Sequence, residues 1–402
     1  MPDDLIELAI SNTPSLIKVI GVGGGGSNAV GQMYLDNIPE VRFLVTNTDK
    51  KALEDSPVPD HLQLGPGLGA GGDPHVGYKL AEENVEKIRE ALNDGTGMVF
   101  VTAGMGGGTG TGASPVIARE ARKLGILTIG IVTIPFLFER ERQIDKALDG
   151  LDTLSKEVDA LLVINNQRLC EIYPNLSIID AFKRADETLS TAVSSITEII
   201  SMHGRINLDF EDVRTVLTKG GVAIMSTGYG EGHNRVTHAI EEALNSPLLN
   251  NNDVYNADRI LLAITTSMDE NSALLTREID EINEFMYRFN SNIQTKWGLS
   301  FDETLGNKIK ITILASGFGL YSKKRKAVER VVAIQQDNSL NNDRRDRFYP
   351  RNNRRQQRKP YIYIFSEKDL LNPEVLEKVE EVPTHLRTNE CLKQIQNLSS
   401  QN

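Results

Sequence analysis

Cysteine is almost missing from this chain of 402 residues: only Cys170 and Cys391 occur, far apart in sequence. A disulfide framework is not expected, and a reducing cytoplasm fits such a composition. The six histidines do not cluster with cysteines at zinc-ligand spacing, so no metal site built from protein ligands is expected. No apolar run approaches the ~20 residues that a bilayer span requires. The segment from Met1 to Thr13 carries Asp3, Asp4 and Glu7 and no basic residue, unlike a signal peptide. Direct membrane insertion is therefore not expected. Also absent is any GxxxxGK[ST] sequence, and neither glycine-rich turn described below contains lysine, which excludes a P-loop.

What is present describes a globular protein, 40% hydrophobic and 25% charged, with a length that suits two or three domains. The net charge of −11 is unevenly spread. From Lys323 to Lys359 thirteen Lys/Arg face four Asp/Glu, a net of +9, which leaves −20 for the remainder. An acidic body with a basic tail follows. The tail, from Tyr321 to Pro360, is poor in apolar residues and is expected to be disordered. Lys323-Lys324-Arg325-Lys326 could bind nucleic acid or anionic lipid, but a linker attracted to its own acidic body accounts for it, and nucleic acid is not expected as a partner.

The stretch with the plainest chemical purpose is Gly106-Gly107-Gly108-Thr109-Gly110-Thr111-Gly112. It joins an apolar strand, Met98 to Thr102, to a helix read from Ser114 to Leu124 and stopped by Gly125. Glycines there let backbone N–H groups approach an anion at the positive end of the following helix, and Thr109 and Thr111 can add hydroxyl donors. The natural guest is a phosphate chain, with its charge met by amides, helix ends and an ion such as Mg²⁺ held mainly through phosphates and water. A flexible surface loop is the bland alternative. A second turn of this kind follows the strand at Ser15 to Ile20, where Gly21, Gly23 and Gly26 satisfy GxGxxG. Alone it suggests a nicotinamide-dependent dehydrogenase, with Asp49 after the strand Val41 to Thr46 as the ribose-binding acid. A single dinucleotide fold has no need of two such loops.

With Ala103-Gly104-Met105 before it and Ala113-Ser114-Pro115 behind it, the Gly106 to Gly112 run resembles the signature loop of the tubulin/FtsZ family, and its bacterial branch in particular. The resemblance extends over residues 15 to 320. It implies an α/β fold: a Rossmann-like GTPase domain with a mostly parallel sheet, a long central helix, a second smaller α/β domain with a mixed sheet, and a disordered tail. The expected division is a flexible extension (1–14), a nucleotide-binding domain (15–177), the central helix (178–203), a catalytic loop and following helix (204–220), a second, activation domain (221–320), a basic linker and variable segment (321–380) and a partner-binding peptide (381–402).

The resemblance implies GTP and GDP as ligands. It carries phosphate contacts to Gly23, Gly24, Gly25, Ser27 and Asn28 of the first turn, where Ser27 replaces the usual glycine, and to Gly104, Gly106, Gly107, Gly108, Thr109, Gly110, Thr111 and Gly112. Ala70, Gly71 and Gly72, in a Gly/Pro-rich stretch otherwise read as a surface loop, would sense the γ-phosphate, with Asp73 capping the next helix. In the segment from Pro135 to Arg142, Glu139 would contact ribose and Arg142 the phosphates. The glycine usual after Glu139 is missing, and a solvated charge is the alternative for Arg142. Asn166, at the carboxyl end of the strand Asp159 to Ile164, would read guanine together with Phe182 and Asp186. As a bare pattern Phe182 is plain core.

Ile178 to His203 reads as one helix, with Ile179, Phe182, Leu189, Val193, Ile196 and Ile200 on one face, and extends about 39 Å. Beyond it Asn207, Asp209 and Asp212 match the family's catalytic Asn-x-Asp-x-x-Asp. Without context Asp209 is an N-cap of the helix to about Lys219, and Asp212 a favourable first-turn charge. These acids stand about 25 Å or more from Asp186 by helix rise. The resemblance therefore implies that they serve another subunit's nucleotide in a head-to-tail polymer. Strands at 222–227, 259–265, 293–297 and 308–314, with helices at 236–244 and 273–289, suit the second domain. Pro373 to Glu380 reads as a short amphipathic helix, and Val382 to Arg387 resembles the peptide that docks on membrane tethers and division proteins. The expectation is a cytoplasmic GTPase filament protein of the mid-cell division site. The alternatives are the dehydrogenase and a tubulin-like polymer or regulator without hydrolysis.

Overall fold

A computed structural model of the chain describes residues 16–202, 204–245, 254–269, 272–289 and 292–318, with short runs between 344 and 398. The chain divides into two compact units, residues 1–345 and 346–402. The extension 1–14, residues 246–253 and most of 321–372 and 381–402 lie outside the described residues, and with the tail the disorder and docking expected there.

In the first unit β1 (Ile17–Val22) leads into α1 (Gly23–Leu35), followed by β2 (Val41–Asn47), α2 (Lys50–Glu54) and β3 (His61–Gln63). Next come α3 (Pro74–Glu83), α4 (Val85–Leu92), β4 (Met98–Gly104), α5 (Gly108–Lys123) and β5 (Leu127–Ile134). Then follow α6 (Glu141–Glu157), β6 (Ala160–Asn165), α7 (Asn166–Ile172) and the long α8 (Ile178–Ser201). β7 (Gly204–Ile206), α9 (Phe210–Leu217), β8 (Gly221–Gly230) and α10 (Arg235–Leu244) precede β9 (Arg259–Thr266), α11 (Ile279–Met286), β10 (Gln294–Phe301) and β11 (Ile309–Phe318). In the second unit the expected helix near residue 373 is α12 (Pro373–Glu381).

Among the described residues eleven strands form one sheet, ordered β3-β2-β1-β4-β5-β6-β8-β11-β9-β10-β7. β1 to β6 pair in parallel, and their unbroken Val/Ile/Leu runs are buried because helices cover both faces. The remainder is mixed: β11 runs antiparallel to β8 and β9, β10 parallel to β9, and β7 antiparallel to β10. The two parts meet in a short parallel ladder, Ala160 with Gly221 and Leu161 with Val222. Each has its own apolar core. One is built around Val19, Phe100, Ile129, Leu189 and Val193, the other around Ile240, Leu262, Ile264, Phe285 and Ile313. Strand order reverses between β1 and β4, the two strands that feed the glycine turns. Open α/β sheets bind ligands at the carboxyl ends of such a pair.

Several boundaries differ from the sequence reading. α8 is capped by Ser177, whose hydroxyl accepts from the Asp180 N–H at 3.1 Å, and it ends at Ser201. Its buried face near the start is Ala181 and Ala185, while Ile179 and Phe182 are exposed. Small residues there let the helix lie close to its neighbours, which leaves the bulky side chains on the outer side. The helix read at 273–289 shrinks to α11, preceded by a 3₁₀ turn at Thr276–Glu278 in which the Glu278 carboxylate accepts from the Leu275 N–H. Among the described residues no helix is long and apolar enough to cross a membrane.

Candidate functional site

At the reversal point three turns of backbone meet with almost no side chain between them. A Cβ on Gly23 would stand 2.8 Å from the Gly110 nitrogen, one on Gly110 2.7 Å from the Gly104 oxygen, and one on Gly108 2.8 Å from the Ala70 Cβ. Gly112 packs against Pro74 just as closely. This corrects the helix boundary. α5 begins at Gly108 rather than Ser114, because close packing against α1 and α3 fixes the glycines in helical form despite their poor propensity. The true loop is Met105–Gly107. Gly106, at φ +105°, adopts a conformation few other residues tolerate. Its N–H is given to the Thr111 Oγ1 at 2.8 Å, and the Thr109 hydroxyl is paired with Thr48 at 2.6 Å. Both threonines are buried and shape the turn from within.

The open surface of this junction is made by other positions. Gly24, Gly25 and Asn28 are exposed on the first turns of α1, and Ser27 faces inward with its hydroxyl unpartnered among the described groups. Gly71 and Gly72 are exposed with open space before them, as is the space before Gly107, the residue that opens α5. Asp73 caps α3 by accepting from the His75 N–H at 2.9 Å, as read from the sequence. The starts of α1, α3 and α5 thus surround one place, and helix starts attract anions. The Lys146 ammonium donates to the Gly72 carbonyl at 2.7 Å and ties the third turn to α6.

Beside it, Pro135 is buried against Gly106. Glu139 accepts the Phe136 N–H at 2.9 Å, so one of its oxygens is spent on its own turn, and burial pushes its carboxyl above the usual range. The missing glycine has a structural signature: Arg140 sits at φ 72°, ψ 163°, a region that belongs almost entirely to glycine. Arg142 is exposed on the first turn of α6.

The residues expected to read a flat ligand lie on α7 and α8, which pack together. Asn166 is buried, and its Oδ1 has no hydrogen-bond partner among the described groups. Phe182, 45% exposed, meets Phe136 edge-on at 5.0 Å. Burial, with Glu187 adding to it, pushes the Asp186 carboxyl up to about 7. An orphaned amide oxygen, a desolvated carboxyl and a bare ring suit a planar ligand rich in N–H donors. That chemistry fits guanine.

Asn207, Asp209 and Asp212 are elsewhere. Asp209 caps α9 in a reciprocal box: its Oδ1 accepts from the Asp212 N–H at 2.9 Å, and the Asp212 Oδ2 accepts from the Asp209 N–H at 3.1 Å. Asn207 accepts from the Gly204 N–H. The same α9 lies against the amino ends of the parallel strands, for Phe210 faces Gly97 just before β4 and Arg214 donates to the Gly125 carbonyl just before β5. The glycine turns leave the other ends. Seven residues of β4 intervene, ~20 Å of strand. Lys296 of β10 holds the Asp212 Oδ1 at 2.8 Å. Partial burial pushes that carboxyl up, but the ammonium and the Asp209 N–H outweigh it and keep it below the usual carboxylate range.

Residues 16–174 match the model of the Tubulin/FtsZ family GTPase domain, 221–319 that of the FtsZ family C-terminal domain, and 357–402 that of FtsZ, C-terminal. The chain is 47% identical to the cell division protein FtsZ of Porphyromonas gingivalis, over 99% of this chain and 91% of that one. The chain belongs to the FtsZ family. To the FtsZ of Aquifex aeolicus it is 44% identical over 76% of its length and 83% of the relative's. A solved structure described as FtsZ dimer, empty (M. jannaschii) superposes with a TM-score of 0.68 at 36% identity, covering 76% of this chain and 89% of that one.

Four members of this FtsZ-family site escaped the sequence reading. Thr48, Lys146 and Lys296 act on it through contacts with partners at least sixty residues distant, which no local pattern announces. The strain at Arg140 did leave a signal, the missing glycine. Arg140→Gly is expected to raise stability by about 1–2 kcal/mol by relieving that backbone. Thermal unfolding checks it, and an unchanged or lower midpoint would show the position to be unstrained.

Proposed function

We propose that the two ends of the sheet are two halves of one catalytic site, completed when the Asn207–Asp212 loop of one subunit covers the phosphates held by the next. The chain is a GTPase of the FtsZ family and a cell-division filament protein. The observation that supports the shared site is the strand length between the acids and the glycine turns, since no side chain spans ~20 Å.

On this reading the N–H groups of Gly24, Gly25, Gly71, Gly72 and Gly107, with the starts of α1, α3 and α5, receive the phosphate chain. Asn28 adds a side-chain donor. Asn166 and Asp186 accept from guanine while Phe182 stacks on it, and Glu139 and Arg142 flank the ribose and phosphates. Mg²⁺ would supply neutralisation of phosphate charge. Among the described residues no group of three His, Cys, Asp or Glu could hold a metal, so the ion would be bound through the phosphates and water. Asp209 and Asp212 orient and polarise the attacking water, Asp212 with its carboxyl held below the usual range by Lys296, and Asn207 steadies the loop. Lys296 holds Asp212 in place in the free subunit.

A contact that joins unlike surfaces does not close on itself and yields a filament. Loss of the γ-phosphate removes part of what the acids face and weakens the contact. The division into a nucleotide-binding part (15–177), a central helix and an activation part (221–320) follows the same logic. We place this polymer in the cytoplasm at mid-cell, linked to membrane tethers and division proteins by residues 381–402. The dehydrogenase alternative needs Asp49 as a ribose ligand, but that carboxylate is committed to capping α2, accepting from Lys51 and Ala52. A polymer without hydrolysis would require neither Asp209 nor Asp212.

Two outcomes test this reading. GTP turnover per molecule should rise with protein concentration above a threshold, and Asp212→Ala should abolish turnover while GTP still binds; constant specific activity down to dilute monomer would refute the shared site. The Asp186 carboxyl near 7 gives a second test. Guanine needs the ionised form, so binding expels a proton below that pH, and affinity should fall about tenfold per pH unit below 7 and level off above it. Asp186→Asn, which meets the same phosphates, should bind weakly and lose that slope. An identical slope in the variant would remove Asp186 from guanine binding.

A further inference from the structure

The outward face of α6 carries Glu141, Asp145, Asp149 and Asp152, spaced four, four and three apart and therefore in one stripe. Two consecutive arginines from the basic tail lie along it. The Arg345 guanidinium donates from Nε to the Asp145 Oδ1 at 2.6 Å, from Nη2 to the other Asp145 oxygen, and from Nη1 to Glu141 at 2.9 Å. Arg344 donates to Asp149 at 2.9 Å and to Asp152 at 2.7 Å. These side chains are only 11% and 18% exposed. That is low for cations in so polar a segment.

We propose that this acidic stripe is a docking surface for the chain's own Arg344-Arg345, a reversible strap that folds the basic tail back onto the nucleotide-binding part. Residues 319–343 connect β11 to the strap, and at up to ~3.5 Å each they give ample reach. Linkage in one chain makes the contact intramolecular and raises its effective concentration. Forked guanidinium–carboxylate pairs give it direction, with Arg345 toward the start of α6. The excess positive charge of residues 323–359 over an acidic body draws the segment in.

The helix it covers reaches the nucleotide site on its other faces. Lys146 holds the Gly72 carbonyl, Gln143 lies beside Gly106, and Gly150 packs against Thr111. The strap is thus placed to steady the element that braces two phosphate turns. Strong screening should release it, because every contact is an ion pair whose carboxylate is 30% to 71% exposed to the salt. This surface does not depend on whether GTP is hydrolysed between subunits.

Trypsin cuts after arginine, so the strap reports on itself in the full chain. The wild type is compared with a neutralised variant, Glu141→Gln, Asp145→Asn, Asp149→Asn and Asp152→Asn, at low salt and at about 1 M, where the screening length falls to ~3 Å. Cleavage after Arg354 and Arg355 serves as the internal standard. Neutralisation and high salt should each speed cleavage after Arg344 and Arg345 about tenfold relative to that standard, with protection in the wild type independent of protein concentration. Because the neutralised helix could be disturbed for other reasons, Arg344→Glu with Arg345→Glu is paired with Glu141→Lys, Asp145→Lys, Asp149→Lys and Asp152→Lys. The tail reversal alone should release the tail, read as a rise in radius of gyration by small-angle scattering, and the exchanged pair should restore the compact value. Equal cleavage in all forms, protection that appears only at high concentration, or no recovery in the exchanged pair would each overturn the strap.

Discussion

A parallel strand delivers its two ends to opposite sides of a sheet, and every functional element of this chain is distributed by that rule. β4 has seven residues, ~20 Å of extended chain. Its carboxyl end opens into the glycine turn, and its amino end rests near the helix that carries Asp209 and Asp212. α8 repeats the separation on another face, with Asp186 in its first half and twenty-four residues, about 36 Å, in all. No rotamer of an aspartate bridges such a distance. If these carboxylates act on a phosphate, it is one held by a second copy.

The nucleotide end is organised by the absence of side chains. Gly23, Gly104, Gly108, Gly110 and Gly112 bring three turns into backbone contact, and a Cβ at several of these positions would strike main-chain atoms. The arrangement gathers the starts of three helices with no lysine in the glycine turns themselves, and in the proposed site the phosphate charge is met by amide dipoles, an ion and Arg142. The side proposed for guanine uses the opposite device, polar atoms removed from water. The unpartnered Asn166 oxygen and the raised Asp186 carboxyl are costly when the site is empty, and a ligand with matching donors recovers that cost. The acids at the far end are not strained in this way, being capped and paired.

The strand–turn–helix units around both glycine runs were legible because an apolar run, a glycine cluster and a periodic helix follow one another without interruption. So were β8 to β11 and the cap at Asp209. What the sequence could not convey was where tertiary packing overrides local preference. Gly108 to Gly112 look like loop and are helix, since neighbouring backbone leaves them no other course. Ile179 and Phe182 look like core and are exposed, since Ala181 and Ala185 take the inner face. Lys146, Lys296 and Arg344-Arg345 are ordinary surface charges until the fold sets them against Gly72, Asp212 and α6. The resemblance to the family named the residues, helix length already set the acids apart from Asp186, and the fold added the length of β4 between them and the glycine turns.

The most direct measurement of the central claim is complementation. Asp212→Ala subunits keep the nucleotide end and lose an acid, while Asp186→Ala subunits keep the acids and lose the guanine contact. Each alone should be nearly inactive. Mixed in equal amounts they should regain a substantial part of wild-type GTP turnover, because the acids of one kind can serve the nucleotide of the other. A mixture no more active than its components, or full turnover by Asp212→Ala alone, would contradict a site divided between neighbours.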